Sequence, residues 1–122
     1  MPGRRLPHGE LEALVMDVLW DAGTPLTPGE VRARLDPARP LAYTTVMTVL
    51  VRLGEKGLVE RERPSGRAYR YRARHSREQQ AAQRMVELLA TTGDRSVVLA
   101  QFVASLTPQE LAELRRALEA ES

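Results

Sequence analysis

No cysteine occurs in the 122 residues, which excludes disulfides, thiolate metal ligands and cysteine nucleophiles and fits a reducing compartment. Aromatic residues are scarce: Trp20, Tyr43, Tyr69, Tyr71 and Phe102 are the full set. A chain this short and this poor in large rings builds a modest core, so oligomerisation is an expected second source of stability. No apolar run approaches a membrane span. The segment Met1 to Gly9 carries Arg4 and Arg5 without the apolar stretch of a signal peptide, so a cytoplasmic protein with no membrane contact is expected. His8 and His75 stand far apart, each without a second imidazole nearby, and no metal or other cofactor is expected. No serine lies in a nucleophile-elbow pattern, no glycine-rich loop leads into a helix with a lysine, and the acidic residues fall at helix-surface spacing. An enzyme is therefore not expected.

Net charge is also low, +2 at neutral pH, but it is unevenly placed. Residues 1–74 hold thirteen Arg or Lys against nine Asp or Glu, and residues 75–122 hold five against seven. Within 52–74 the count is eight against three, in a segment that also contains Tyr69 and Tyr71. Basic clustering of this kind is what a surface that meets phosphates requires.

Apolar periodicity orders the chain. Leu11, Leu14, Val15, Val18 and Leu19 recur at helical spacing from about His8 to Asp21, with Gly23 placed to end the helix. Thr27-Pro28-Gly29-Glu30 offers a cap hydroxyl, a proline at the first helical position and a glutamate able to reach back, opening a short helix that buries Val31 and Leu35. Pro37 and Pro40 stop it. A third helix runs from about Ala42 to Lys56, with Val46, Val49, Leu50 and Leu53 inward and Gly57 as terminator. Leu58 to Arg63 and Ala68 to Arg74 form two extended runs around Pro64-Ser65-Gly66-Arg67, the pattern of a β-hairpin. On its second strand Tyr69, Tyr71 and Ala73 alternate with Arg70, Arg72 and Arg74, which puts the guanidinium groups in a row. Three further helices follow, the first and third with capping boxes at Ser76/Gln79 and Thr107/Glu110. Their large residues, Met85, Leu88, Leu89, Val98, Phe102, Leu111, Leu114 and Leu118, are too few for an independent core and are expected to pack against a second copy.

The fold this implies is mainly α with a small β-hairpin: a winged helix-turn-helix over residues 1–74 and a three-helix dimerisation region over 75–122. In such a module the third helix enters the major groove and the hairpin lies on the flanking backbone. Its outer face here is Tyr43, Thr44, Thr45, Met47, Thr48, Val51, Arg52 and Glu55, where an ordinary solvated face is dense in Glu and Lys. Thr44, Thr45 and Thr48 are short enough to approach base edges and carry both hydroxyl and methyl groups. Arg52 and Lys56 further along, and Arg63, Arg67 and Arg70 on the hairpin, are candidates for phosphate contact. Tyr43 is read equally as a stacking residue on the DNA backbone or as a seal between the second and third helices. The expected function is a homodimeric, sequence-specific repressor of double-stranded DNA. The competing reading, a protein-interaction module whose basic hairpin serves an acidic partner, calls for apolar or charged anchors on that same face.

Several of these residues carry a resemblance. Gly9-Glu10-Leu11-Glu12, Val15-Met16-Asp17-Val18-Leu19-Trp20, Ala42-Tyr43-Thr44-Thr45-Val46-Met47-Thr48-Val49-Leu50, Arg52-Leu53, Lys56-Gly57-Leu58-Val59 and Arg70-Tyr71 together resemble the penicillinase-repressor family of bacterial regulators, BlaI and MecI. The resemblance implies a homodimer on a palindromic operator in front of β-lactamase or related genes, hence a part in an antibiotic response. It also implies induction through a regulatory protease that cuts an Asn-Phe step in the dimerisation region. The comparable position here is Gln101-Phe102, and Phe102 is also read as the largest core residue of its helix. The copper-sensing branch of the family relies on C-terminal cysteines, which this chain lacks.

Overall fold

The computed structural model describes residues 8–63, 66 and 68–121. Among them, six helices and one hairpin follow in the order α1 (His8–Ala22), α2 (Pro28–Arg34), α3 (Tyr43–Glu55), β1 (Val59–Glu62), β2 (Arg70–Ala73), α4 (Arg77–Ala90), α5 (Arg95–Ala104) and α6 (Pro108–Glu121). They divide into two compact units, one ending at Gln80 and one beginning at Ala81, so that the division falls inside α4.

In the first unit the stripes read from the sequence supply most of the core, which Met16 joins while Leu11, Leu14 and Val18 are only partly buried. Val15, Met16 and Leu19 of α1, Val31 of α2 with Leu35 at its end, and Val46, Val49, Leu50 and Leu53 of α3 are all buried, and Val59 and Tyr71 close the cluster from the hairpin. Thr27 caps α2 reciprocally: its Oγ1 accepts from the Glu30 amide at 3.2 Å, and its own amide donates to Glu30 Oε1 at 2.9 Å. Two amides that the first turn leaves orphaned are thereby satisfied. The hydrogen bond from the Thr27 backbone, then that from its side chain, hold the Glu30 carboxyl below its ordinary range, and Arg70 and Arg34 add to the effect. A depressed carboxylate contributes stability that is complete at neutral pH and is lost as acid protonates it. Melts of wild type and Glu30→Gln are therefore expected to differ at neutral pH and to converge by about pH 2; a difference that persists unchanged into acid would show that the charge plays no part.

At the far end of α3, Gly57 takes a left-handed φ of 75°. Its amide donates to the Gly54 carbonyl at 3.0 Å and the next amide, Leu58, donates to Leu53 at 2.9 Å. That double closure requires a residue free to adopt positive φ, and it turns the chain directly into β1.

The strands pair antiparallel with Val59 opposite Ala73 and Glu62 opposite Arg70, a slightly shorter ladder than the runs in the sequence suggest. Gly66 at the turn has φ 76°, while Pro64, Ser65 and Arg67 lie outside the described residues. Alternation on β2 follows the expected parity, with Tyr71 buried, Tyr69 and Ala73 partly buried against the core, and Arg72 and Arg74 exposed. One feature is absent from the sequence reading. Leu26, in the loop between α1 and α2, exchanges both backbone hydrogen bonds with Tyr71, at 2.9 and 2.7 Å, and so forms a one-residue third strand on the hairpin. The hairpin is thus fixed to the helices by main chain as well as by packing. Three helices with this pinned hairpin are a winged helix-turn-helix.

The second unit has a different character. Asp94 caps α5 by accepting from the Val97 amide at 3.2 Å, and Thr107 and Glu110 open α6 with the same reciprocal bonds as α2, at 2.9 and 3.1 Å. Local capping is complete, yet among the described residues of α4, α5 and α6 none is buried. Met85, Val86, Leu88, Val97, Leu99, Phe102, Val103 and Leu118 are exposed in the single chain, and Leu89, Val98, Leu111 and Leu114 are half-buried. Phe102, expected in the core of its helix, is 39% exposed. Three short helices cannot enclose a side chain between them, and their apolar faces are left without cover. No helix among the described residues is long and apolar enough to cross a membrane.

Candidate nucleic-acid interface

The buried stripe of α3 orients its opposite face. With Val46, Val49, Leu50 and Leu53 inward, Tyr43, Thr44, Thr48 and Val51 are exposed and Thr45, Met47 and Arg52 are half-buried. None of the three threonines is enclosed by the protein. Thr48 Oγ1 donates to the Thr44 carbonyl at 2.9 Å, which fixes its rotamer along the helix. Tyr43 is 49% exposed at the first turn, and Arg32 ties α2 to the segment before α3, its Nε donating to the Leu41 carbonyl at 3.0 Å.

The basic residues divide into two groups. Lys56 is tied to Glu12 of α1, with Nζ 2.5 and 2.8 Å from the two carboxylate oxygens, so the end of α3 is fastened to α1. Arg72 pairs with Glu60 directly across the ladder at 2.9 Å, Arg74 lies 3.6 Å from the same glutamate, and Arg70 lies 3.9 Å from Glu30. The arginine row on β2 is therefore largely neutralised where it stands. On the other face of the hairpin, Arg61 and Arg63 both hold their guanidinium groups over the ring of Tyr69, at 4.3 and 5.0 Å from its centroid. For Arg61, stacking of this kind leaves the in-plane N–H groups open to further acceptors.

Arg61 was not among the sequence candidates. It shares strand parity with buried Val59, which reads as inward, but β1 leaves the core after Val59. Together with Val51, Gly54 and Glu55 of α3 and Val59 and Tyr71 of the hairpin, Arg61 lines an open groove between α3 and the hairpin. Tyr69 two residues before Tyr71 was the signal available: a second ring on the same face, at the margin of the core. Arg67 lies outside the described residues.

A profile of the family described as penicillinase repressor matches residues 8–120. The chain belongs to the penicillinase repressor family. Its relatives include Transcriptional regulator BlaI of Mycobacterium tuberculosis, in two strains, 45% identical over 113 residues that make up 90% of this chain and 81% of the relative. The chain is accordingly a transcriptional regulator and not an enzyme. Among solved structures, a MarR family protein from Bacillus stearothermophilus superposes with a TM-score of 0.45 and 21% identity, over 96% of this chain and 73% of the other. An organohalide-sensing transcriptional regulator in its 2,4-dichlorophenol-bound form gives 0.48 and 19%, over 92% of this chain but 60% of that one, so the family member spans less than two thirds of it.

The remaining residues singled out from the sequence lie in the second unit. Met85, Leu88 and Leu89 are on α4, Val98 and Phe102 on α5, and Leu111, Leu114 and Leu118 on α6. Gln101 and Phe102 are both exposed but sit in the middle of α5, where the bond between them is inside helical backbone.

Proposed function

We propose that this chain is a homodimeric repressor that binds a palindromic operator in front of β-lactamase or related genes, with α3 in the major groove and the wing on the adjoining backbone. The observation that carries the reading is the outer face of α3: three threonines and a methionine, exposed at Thr44 and Thr48 and half-buried at Thr45 and Met47, backed by a buried apolar stripe. Thr44, Thr45, Met47 and Thr48 read base edges, and Tyr43 lies against the backbone beside them. Arg52, Arg63 and Arg67 contact phosphates with Arg61, while Lys56 and Arg70 do so by exchanging their carboxylate partners for phosphate. Dimerisation through α4, α5 and α6 joins two readers, so that the second half-site is bound as an intramolecular event. Cutting within α5 at Gln101-Phe102 by a regulatory protease would release the operator by separating the readers, and it needs local opening of the helix first.

Operator fragments selected from genomic DNA supply the probe. In gel-shift titrations at several salt concentrations, Arg61→Ala is expected to weaken binding to specific and random duplexes alike and to reduce the salt slope by about one. Thr45→Ala is expected to change affinity by about 1–3 kcal/mol at one base-pair position and to leave the salt slope unaltered. Equal losses on specific and random DNA for both variants would remove the assignment of α3 as the reading element.

A further inference from the structure

The cations of the first unit differ in what holds them. Lys56, Arg70, Arg72 and Arg74 each stand beside a carboxylate, which fixes the cation and cancels its charge together. Arg61 is held in another way. Among the described residues it makes no ion pair, and its guanidinium lies over the ring of Tyr69, 4.3 Å from the centroid. A ring face attracts a cation through its quadrupole and leaves the full charge in place. The planar group still presents its N–H fork edge-on, the shape that a phosphate accepts bidentately.

Strand register builds this contact. Arg61 stands opposite Tyr71 in the ladder, so Tyr69, two positions before Tyr71, is its diagonal neighbour, a separation that long and aromatic side chains can bridge. Tyr71 is buried and Tyr69 rests half-buried against the same core, which anchors the ring while Arg61 stays exposed. Glu60 and Arg72 pair at the alternate position, so the carboxylate that neutralises Arg72 and Arg74 belongs to the opposite face of the hairpin. The face of Arg61 is the one that borders α3, across the groove from Val51 and Glu55. Arg63 shares the ring at 5.0 Å and adds a second positive charge there. An arginine loose in solvent loses rotamer freedom when a phosphate fixes it, whereas one already ordered on a ring has lost that freedom beforehand.

We propose that Tyr69 is a positioning residue that holds Arg61, its charge uncancelled, at the edge of the groove beside α3 for contact with an operator phosphate. This rests on the DNA-binding reading given above. The test titrates the full-length protein against a selected operator fragment and a random duplex of equal length, at several salt concentrations. Tyr69→Phe keeps the ring and is expected to bind both within about twofold of wild type. Tyr69→Leu is expected to weaken both by about tenfold, the cost of ordering a freed arginine. Its salt slope is expected to stay unaltered, because the same phosphate is still neutralised. Arg61→Lys is expected to behave likewise, since an ammonium keeps the charge without the planar fork; it lies outside the core and decides the matter if Tyr69→Leu does not fold. Combined with Arg61→Ala, Tyr69→Leu is expected to add less than about twofold, and combined with Arg63→Ala to keep its full effect. A packing role alone would lower the melting temperature and persist in the Arg61→Ala background; that result, or dependence on Arg63 alone, would overturn the inference. If wild type binds the operator specifically and Tyr69→Leu and Arg61→Lys bind as well as it does, the inference fails while the operator-binding function stands; if wild type prefers the operator no more than random duplex, both fail.

Discussion

Aspartate in place of Leu88 and Leu118 is expected to leave the regulator monomeric and to weaken its binding to a two-half-site duplex by about 10²–10⁴-fold, with little change on a single half-site. The two leucines are 54% and 64% exposed in the isolated chain, on helices that contain no buried residue among those described. A monomer has nothing to lose from charge at such positions, because neither side chain is packed. A dimer that buries them meets an unpaired carboxylate in an apolar contact, which costs several kcal/mol for each copy. Sedimentation velocity at micromolar concentration, together with titration of the two duplexes, separates these cases. A double variant that still sediments as a dimer would place the subunit contact elsewhere.

The second large effect belongs to the scaffold of α3. Leu50 is fully buried, in contact with the stripe that α1 and the hairpin complete. Leu50→Ala is expected to cost about 2–5 kcal/mol in urea unfolding, from lost transfer energy and the cavity left behind. Against a typical total of roughly 5–15 kcal/mol, this removes a large fraction of the stability, and operator binding is expected to be lost at a lower temperature than in wild type. Val51 is the next residue along the chain but lies on the other face at 47% exposure. Val51→Ala is expected to stay within about 0.5 kcal/mol of wild type. Equal destabilisation by the two substitutions would mean that α3 is rotated from the orientation on which the proposed DNA-reading face depends.

Much of this was legible in the sequence because it depends on local periodicity. Val46, Val49, Leu50 and Leu53 repeat at the pitch of a helix, and their spacing alone determines which side Thr44, Thr45 and Thr48 occupy. Tyr69, Tyr71 and Ala73 do the same for the hairpin. What escaped the sequence reading has no period. The pairing of Leu26 with Tyr71 is a single residue long and sits in a loop, so no alternation announces it. Lys56 meets Glu12 across 44 positions and Arg77 meets Asp17 across 60; such pairs exist only once the helices are packed. The neutralisation of Arg72 by Glu60 follows from the strand register, which depends in turn on the length of the loop between the strands. Arg61 escaped because parity within a strand predicts burial only while the strand remains over the core.

The hydrogen bond from Thr48 to the Thr44 carbonyl bears on which bases α3 can favour. A threonine hydroxyl has one proton, and here it is already engaged along the helix axis, leaving lone pairs and a methyl group to face outward. Such a group welcomes the exocyclic amino hydrogens of adenine or cytosine and the methyl of thymine, and has nothing to offer the paired acceptors N7 and O6 of guanine. If α3 reads the major groove as proposed, a base pair that turns its guanine edge toward Thr48 is expected to be disfavoured there.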